Sequence, residues 1–445
     1  MGRLDASWKA ASKGRPQLAL LTGRRRVGKT ALVAAFADQR RSVIYTATRE
    51  AMPAQLARFA ERLAAVGTST PIPSTFATWH EAFEFAAAIA QREPLLVGID
   101  EVPYLTEVES SFGSIVQAAW DRIAHNTKPP KLMMLLTGSS RRVMTRLTAG
   151  GGPLFGRADL NLRLEPFALE EIGPFLRRLS PENRLMAYAV TGGYPRHLLA
   201  WDDAQTLAEN ISSLVQPGSI LYDDAPLIVN EEFPTGLGFE RVLLAIGRGR
   251  HAYGEIKTEA DLRIETPIAT LEQVGLIRGE TPNGGPRRAA PHYVITDPYL
   301  RFWFGPLARI RQSVELGSDA AQVLTAGVWS THLGSVFEDE ARRHAIRLCG
   351  KGELPPATVG RWWRMGRNPI ELDIIGRAED RVVFAGEAKW SESIAGTREL
   401  ASLKSKADAA FGQDPNRLDV LWSRRKVRAQ PTHNVASYSV SDLVT

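Results

Sequence analysis

The hydrophobic pattern changes character along the chain. In the first third, short apolar runs alternate with helical spacing. Residues 18–22 (L-A-L-L-T) form an apolar run that ends at a glycine-rich loop, and residues 31–37 resume with apolar positions at helical spacing. Strand, loop and helix therefore follow one another directly. Residues 43–46 read as a second strand, and 56–65 and 80–91 as helices. Residues 95–100 (L-L-V-G-I-D) and 131–137 (K-L-M-M-L-L-T) are strands without polar alternation. Such strands, separated by helices, predict a parallel sheet covered on both faces.

After about residue 165 the strands stop. Residues 169–200 read as helical with a Gly-Gly-Tyr-Pro break at 192–195, and the Gly- and Pro-containing stretch 216–238 predicts a linker. Between 239 and 296, three helical segments (the second and third at 254–262 and 266–274) lead into a hairpin. Its strands, 275–278 and 292–296, flank a loop at 281–291 rich in Pro, Gly and Arg. That order predicts a winged helix-turn-helix. Helices from 299 to about 316 bridge to a last domain, which opens with a helix and passes into a hairpin at 371–389. The expected division is 1–165, a sheet core; 166–235, a helical lid and linker; 236–305, the winged helix; 306–327, a helical connector; and 328–445, the last domain.

Length supports this partition, because 445 residues exceed what one core holds. The apolar and charged shares, 44% and 23%, are those of ordinary soluble protein. No run of 18 apolar residues appears, so no membrane span is expected. Lys9, Lys13 and Arg15 are not accompanied by an apolar h-region, so no secretory signal is expected either. One cysteine, Cys349, excludes an internal disulfide and a multi-cysteine metal site. A cytoplasmic location follows as the default. The net charge of +6, mostly arginine, suits a polyanionic partner without specifying one.

The loop at the first strand end reads G-R-R-R-V-G-K-T, residues 23–30. This is a complete G-x-x-x-x-G-K-T phosphate loop in the strand–loop–helix setting that such a loop needs. Gly23, Arg24, Arg25, Arg26, Val27 and Gly28 supply backbone N–H groups for phosphate oxygens, with the helix dipole behind them. Lys29 is expected on the β- and γ-phosphates of ATP, and the Thr30 hydroxyl on Mg2+. Asp100, at a strand end, fits a second Mg2+ contact; Glu101 beside it fits the base or orienter for the attacking water. Ser139, in T-G-S-S, is a candidate γ-phosphate sensor, although ordinary turn chemistry explains it as well. Arg157 (F-G-R) and Arg196 (after G-G-Y-P) are the candidate γ-phosphate arginines.

Here the chain resembles the prokaryotic P-loop ATPases of the signal-transducing (STAND-related) and origin-recognition-like branch of the AAA+ class. The matching strings are G-R-R-R-V-G-K-T, L-L-V-G-I-D-E, T-G-S-S, L-F-G-R and T-G-G-Y-P-R, over about residues 1–215. The resemblance implies an ATP-dependent switch with a helical lid, often oligomeric.

The predicted recognition helix, 266–274, contains Glu272 and Gln273, follows Glu265 and has no basic residue. A module that packs domains is therefore as good a reading as a DNA reader; the wing supplies Arg287 and Arg288. In the last domain, 371–376 (E-L-D-I-I-G) reads as one strand, 377–380 as a turn and 381–390 as the next strand. Glu387 and Lys389 are two apart and share a face, as do Glu371 and Asp373. Two carboxylates and a lysine are what metal-assisted phosphodiester cleavage requires. Glu338, in the opening helix, is a further carboxylate. Arg361, Trp362, Trp363 and Arg364 suit either nucleic-acid contact or core packing. Arg424, Arg425, Lys426 and Arg428 form a basic cluster, more often a solvated face than a phosphate groove.

This tail resembles the restriction-endonuclease-like PD-(D/E)XK domain attached to many ATPases of the same branch, through W-W…E-L-D-I-I and G-E-A-K-W. The resemblance places metal acids on Asp373 and Glu387, the lysine on Lys389 and a helix acid on Glu338. The full expectation is an α/β protein: a parallel-sheet P-loop ATPase core with a helical lid, a winged helix-turn-helix and a C-terminal α/β restriction-endonuclease-like domain. ATP and Mg2+ would be its cofactors and DNA its partner, with a nucleotide-dependent homo-oligomer as the expected assembly. A switch that binds nucleic acid or a partner without cutting is the alternative. An origin-type DNA loader is disfavoured by the acidic recognition helix.

Overall fold

The computed structural model describes residues 1–67, 70–233, 237–286, 288–391, 396–425 and 434–444. Arg287, Lys426 and Arg428 lie outside the described residues. The chain forms two compact units, Met1–Glu165 and Pro166–Thr445.

The first unit is built on a five-stranded sheet of β1 (Gln17–Gly23), β2 (Ser42–Thr46), β3 (Leu95–Asp100), β4 (Leu132–Gly138) and β5 (Leu160–Leu164). The order is β2-β3-β4-β1-β5 and every pairing is parallel. Alternate residues of β1, β3 and β4 enter different cores. Leu18 and Leu20, with Leu132, Met134 and Leu136, face one cluster; Ala19 and Leu21, with Met133 and Leu135, face the other. That two-sided burial is why these strands carry no polar alternation. The larger core is aromatic: Tyr45, Phe59, Trp79, Phe83 and Phe112 make ring contacts between 5.2 and 6.4 Å. The opposite face is closed by the helices Gly2–Ser12 and Lys29–Ala37, through Leu4, Ala11, Val33 and Phe36. Pattern reading did not expect the first helix or β5. In β5 (L-N-L-R-L), burial alternates on an edge strand that pairs only with β1, so its apolar run is short.

The second unit opens with helices Pro181–Thr191, Pro195–Ala200, Leu207–Leu214 and Ile220–Glu232. The last of these lies where a linker was expected. Leu221, Ala225, Ile228 and Val229 bury one helical face, despite Pro226 inside the helix. Proline removes the donor that Tyr222 O would otherwise receive. Trp303 Nε1 donates to Tyr222 O at 2.7 Å and replaces it.

Helices Leu237–Gly247, Tyr253–Ala260 and Glu265–Gln273 precede an antiparallel hairpin of β6 (Ile277–Glu280) and β7 (His292–Ile295). Helix Ala326–Lys351 then packs on a five-stranded mixed sheet: β8 (Thr358–Arg364), β9 (Ile370–Ala378), β10 (Arg381–Lys389), β11 (Leu418–Ser423) and β12 (Val435–Ser439). The order is β12-β11-β10-β9-β8, antiparallel among β8–β10 and parallel from β10 to β12. Helix Thr397–Phe411 packs on β9–β11, with Leu403 and Ala407 meeting Leu372, Ile375 and Ala385. The hairpin turn is tighter than expected. Arg377 and Ala378 still pair with Val382 and Arg381, leaving Glu379, at φ 51°, and Asp380 as the turn. Among the described residues, no helix is long and apolar enough to cross a membrane.

Candidate functional site

The first cluster sits at the C-terminal ends of β1, β3 and β4. β1 ends at Gly23, and the loop re-enters a helix through Gly28 at φ 92°, ψ 18°. A side chain is strained in that left-handed region, so glycine belongs here. Arg26, at φ 72°, adds a second left-handed residue, and successive N–H groups in such turns form an anion-binding concavity. Lys29 is buried, with Nζ donating to Gly23 O at 2.9 Å and Arg24 O at 3.1 Å. The loop thus closes around its own ammonium group.

Thr30 and Asp100 are brought together. Thr30 Oγ1 donates to Asp100 Oδ2 at 3.0 Å, and Thr137 Oγ1 donates to Asp100 Oδ1. A hydroxyl and a buried carboxylate in contact at a phosphate loop are the donor set that Mg2+ takes, with phosphate and water completing the shell. Glu101 is left-handed, at φ 57°, ψ 49°. Its Oε2 accepts from Ser139 Oγ at 2.6 Å and from Ser139 N at 3.2 Å. Ser139, expected as a phosphate sensor, therefore contacts the candidate base itself.

Arg157 makes a bidentate pair with Asp121, at 2.8 and 2.9 Å, on helix Phe112–Ala124. Arg196 lies in the second unit, in helix Pro195–Ala200. The sequence reading missed Arg141. It follows T-G-S-S at the start of helix Arg141–Thr148, is 6% exposed, and pairs with Glu165. Burial, and then the Arg24 guanidinium, bring its pKa down to about 10. In sequence, Arg141 was visible only as the first residue of R-R after T-G-S-S, one of many arginine pairs in this chain.

The T-G-G-Y-P-R string has another structural task. Tyr194 Oη donates to Asp297 Oδ2 at 2.6 Å, and His197 meets Asp224 at 3.0 Å and Thr191 O at 3.0 Å. Tyr299 lies edge-on to His197, with ring centroids 4.4 Å apart. A Cβ on Gly193, at φ 74°, would lie 2.0 Å from Phe167 O. Glycines here let the helical segment close onto D-P-Y-L-R.

The second cluster lies on β9 and β10. Asp373 and Glu387 are buried, at 9% and 4% exposure. Asp373 Oδ2 accepts from Ala388 N at 3.0 Å. Glu387 Oε1 receives Lys389 Nζ at 2.5 Å and Lys406 Nζ at 2.8 Å, while its buried Oε2 has no hydrogen-bond partner among the described residues. Burial and the Glu387 charge raise the Asp373 pKa. Burial opposes the Lys389 charge, but Glu387 and Asp373 outweigh it and raise that pKa too. Glu338 faces Arg361 at 3.7 Å; burial, then Asp373, push it up to about 7. Among the described residues, no three Asp, Glu, His or Cys side chains are gathered as a ready metal cage. Two hard carboxylates, one with an orphaned buried oxygen, nonetheless fit a divalent cation that takes the rest of its shell from phosphate and water. Lys406 had no motif to announce it.

Among the described residues flagged for nucleic acid, Arg361, Trp362, Trp363, Arg424 and Arg425 are engaged within the unit, whereas Arg364 is exposed. Trp362 packs on Phe411 at 4.7 Å, and Trp363 stacks on His292 at 4.6 Å. Arg361 pairs with Glu371 at 2.5 Å and Glu280 at 3.8 Å. Arg424 and Arg425 reach Glu182 at 2.9 and 3.6 Å.

Residues 4–200 match the family described as the ATPase domain predominantly from Archaea. Residues 303–404 match a family of archaeal and bacterial proteins of unknown function. The family matches thus support an archaeal-type ATPase domain over residues 4–200 and a domain similar to that second family over 303–404. It is 25% identical over 386 residues to the uncharacterized protein MJECL04 of Methanocaldococcus jannaschii, covering 84% of this chain and 82% of that protein. The Walker-type ATPase PABY2304 of Pyrococcus abyssi shares the fold, with TM-score 0.50 and 18% identity over 68% of this chain and 95% of that one. The Aeropyrum pernix ORC2 protein, solved with ADPNP and ADP, matches with TM-score 0.44 and 14% identity over 72% and 92%.

Proposed function

We propose that the first unit binds and hydrolyses ATP, and that this cycle governs a metal-dependent DNA nuclease site at Asp373, Glu387 and Lys389. Contact between Thr30 and Asp100 at the phosphate loop supports the first half. Backbone N–H groups of 24–30 and the Lys29 ammonium hold the phosphates. Thr30 and Asp100 hold Mg2+, which supplies charge neutralisation on the phosphates. Glu101 orients or deprotonates the attacking water once Ser139 yields its oxygen. Arg141, buried and facing the charge of Arg24 in the loop, joins Arg157 as a candidate for the γ-phosphate.

The observation that carries the nuclease half is the orphaned Oε2 of Glu387, buried beside Asp373 and Lys389. A buried carboxylate oxygen without a partner costs free energy unless the site has another use for it. Asp373 and Glu387 would hold the metal, which supplies Lewis-acid polarisation of the scissile phosphate. Lys389 would steady the developing charge. The order of elements from Ala326 onward, helix then three antiparallel strands, helix and parallel strand, agrees with the PD-(D/E)XK resemblance.

Three helices and a hairpin over 237–295 support the winged-helix reading. Its wing supports a packing role. Asn283 N donates to Arg361 O at 2.8 Å, and Asn283 Nδ2 donates to Thr358 O at 2.8 Å, so the loop covers the β8 edge.

A binding switch without cleavage is the second reading, favoured by the two lysines that already neutralise Glu387. Incubating plasmid and single-stranded DNA with Mg2+ or Mn2+, with and without ATP, separates the two. Cleavage is expected for the native chain and for Lys29→Ala only in altered amount; Asp373→Asn should abolish it while ATPase activity persists. Native ATPase without cleavage of any DNA favours the binding switch.

A further inference from the structure

We propose that Lys406 is a positioning residue of the C-terminal site that competes with the metal ion for Glu387. This role rests on the reading that Asp373 and Glu387 hold a divalent cation. Lys406 lies on helix Thr397–Phe411, one turn from Leu403 and next to Ala407, the two residues buried on this helix. That packing fixes the helix against β9 and β10 and brings the Lys406 stem to the Glu387 side. Its Nζ lies 2.8 Å from Glu387 Oε1, the same oxygen that Lys389 Nζ reaches at 2.5 Å.

Charge explains why one oxygen takes two ammonium groups. Asp373 and Glu387 place two negative charges in a buried setting, which is costly without compensation. Lys389 and Lys406 supply two positive charges. A divalent cation brings the same compensation on its own. Once it binds, both ammonium groups are surplus at the carboxylates. They can then face the phosphodiester, whose charge grows as it is attacked. Arg361 also acts on Asp373, but Lys389 and Lys406 are the cations in contact with Glu387 among the described residues. The second lysine thus stabilises the metal-free state and weakens metal binding in the absence of substrate.

The test is a calorimetric Mn2+ titration of the full chain without nucleotide, with the Asp373→Asn signal subtracted so that only this site is read. Lys406→Met keeps the stem and removes the charge. It should bind Mn2+ roughly 5- to 30-fold more tightly, the effect of removing one competing charge at partly screened distance. Lys406→Arg should stay within about twofold of the native chain. Lys404→Met removes the same charge from the same helix without a contact to Glu387 and should also leave the affinity unchanged. An unshifted Lys406→Met affinity, or an equal shift in Lys404→Met, overturns the role. Circular dichroism melting of each variant keeps misfolding from passing as a result. The role and the nuclease reading fail separately: a chain that binds Mn2+ through Asp373 but cuts nothing loses the nuclease reading alone. A chain that cuts DNA with Lys406→Met unshifted loses the Lys406 role alone. Absence of Mn2+ binding by the native chain sinks both.

Discussion

Tyr194 and Asp297 meet at 2.6 Å, hydroxyl to carboxylate, 103 positions apart and both buried. Asp297 also accepts from Leu300 N at the start of its helix, so one carboxylate caps a helix and anchors a loop. Tyr194→Phe leaves that buried carboxylate short of a donor, which costs about 1–3 kcal/mol. Gly193→Ala should cost more, since it forces both a left-handed alanine and a clash with Phe167 O. Urea unfolding of the chain checks both, and an undisturbed midpoint for either would show that this joint carries no load.

At the nucleotide site the geometry separates two arginines that look alike in sequence. Arg157 is held by Asp121, a partly exposed pair worth about 1 kcal/mol at most. Arg141 is buried, and its charge is tolerated despite Arg24. We expect Arg141→Met to lower ATP turnover at least about tenfold, within what a γ-phosphate arginine contributes, with ADP affinity little changed. Arg157→Ala should act only where chains associate, so its effect should grow with protein concentration. Steady-state ATPase assays and fluorescent-ADP binding distinguish the two.

Glu101→Gln is expected to retain ATP binding and lose hydrolysis by about 10²-fold or more, because the amide cannot accept the proton from water. Tight ATP retention with hydrolysis intact would move the base elsewhere.

How much of this was readable in advance follows from range. The phosphate loop, Asp100 at a strand end and the Glu387–Lys389 pair lie within one or two elements, so spacing alone exposes them. Thr30–Asp100 is also readable, because a known motif supplies both partners. Arg141 and Lys406 are not readable, since their meaning depends on partners that only folding supplies: Arg24, and Glu387 across a helix–sheet contact. Helix Ile220–Glu232 was hidden by Pro226, whose cost is met by Trp303 from 77 residues further on. Asn283 lies in the 281–291 loop, where the choice between packing and DNA reading turns on partners distant in sequence, Thr358 and Arg361.

That last contact yields its own prediction. Asn283→Ala deletes the side-chain hydrogen bonds to Thr358 O and Ile375 O and loosens the loop on the β8 edge, at about 1 kcal/mol. If the wing packs rather than reads DNA, DNA affinity in a salt titration should be unchanged, in slope as well as magnitude. A lowered slope would mean the loop contacts phosphate.

Acid should loosen the second unit through two histidines. His332 donates from Nε2 to Ala189 O at 2.8 Å, and His344 Nδ1 accepts from Trp422 Nε1 at 3.1 Å. Burial, reinforced by Arg301 at His332 and by Arg347 at His344, lowers both rings from 6.5 to about 4, and the bond to Ala189 O offsets only part of this at His332. In the unfolded chain both take up a proton near pH 6.5; in the folded chain they do so only near 4. Between those values the unfolded state binds more protons, so stability is complete above pH 6.5 and falls as the pH drops towards 4. The loss is on the order of 3 kcal/mol per histidine at the bottom of the window. His332→Gln keeps a donor for Ala189 O and does not titrate, so it should flatten part of that slope. Melting temperatures of the native chain and the variant, taken from pH 7.5 to 4.5, should diverge below about 6.5; parallel curves would show that folding does not lower the His332 pKa.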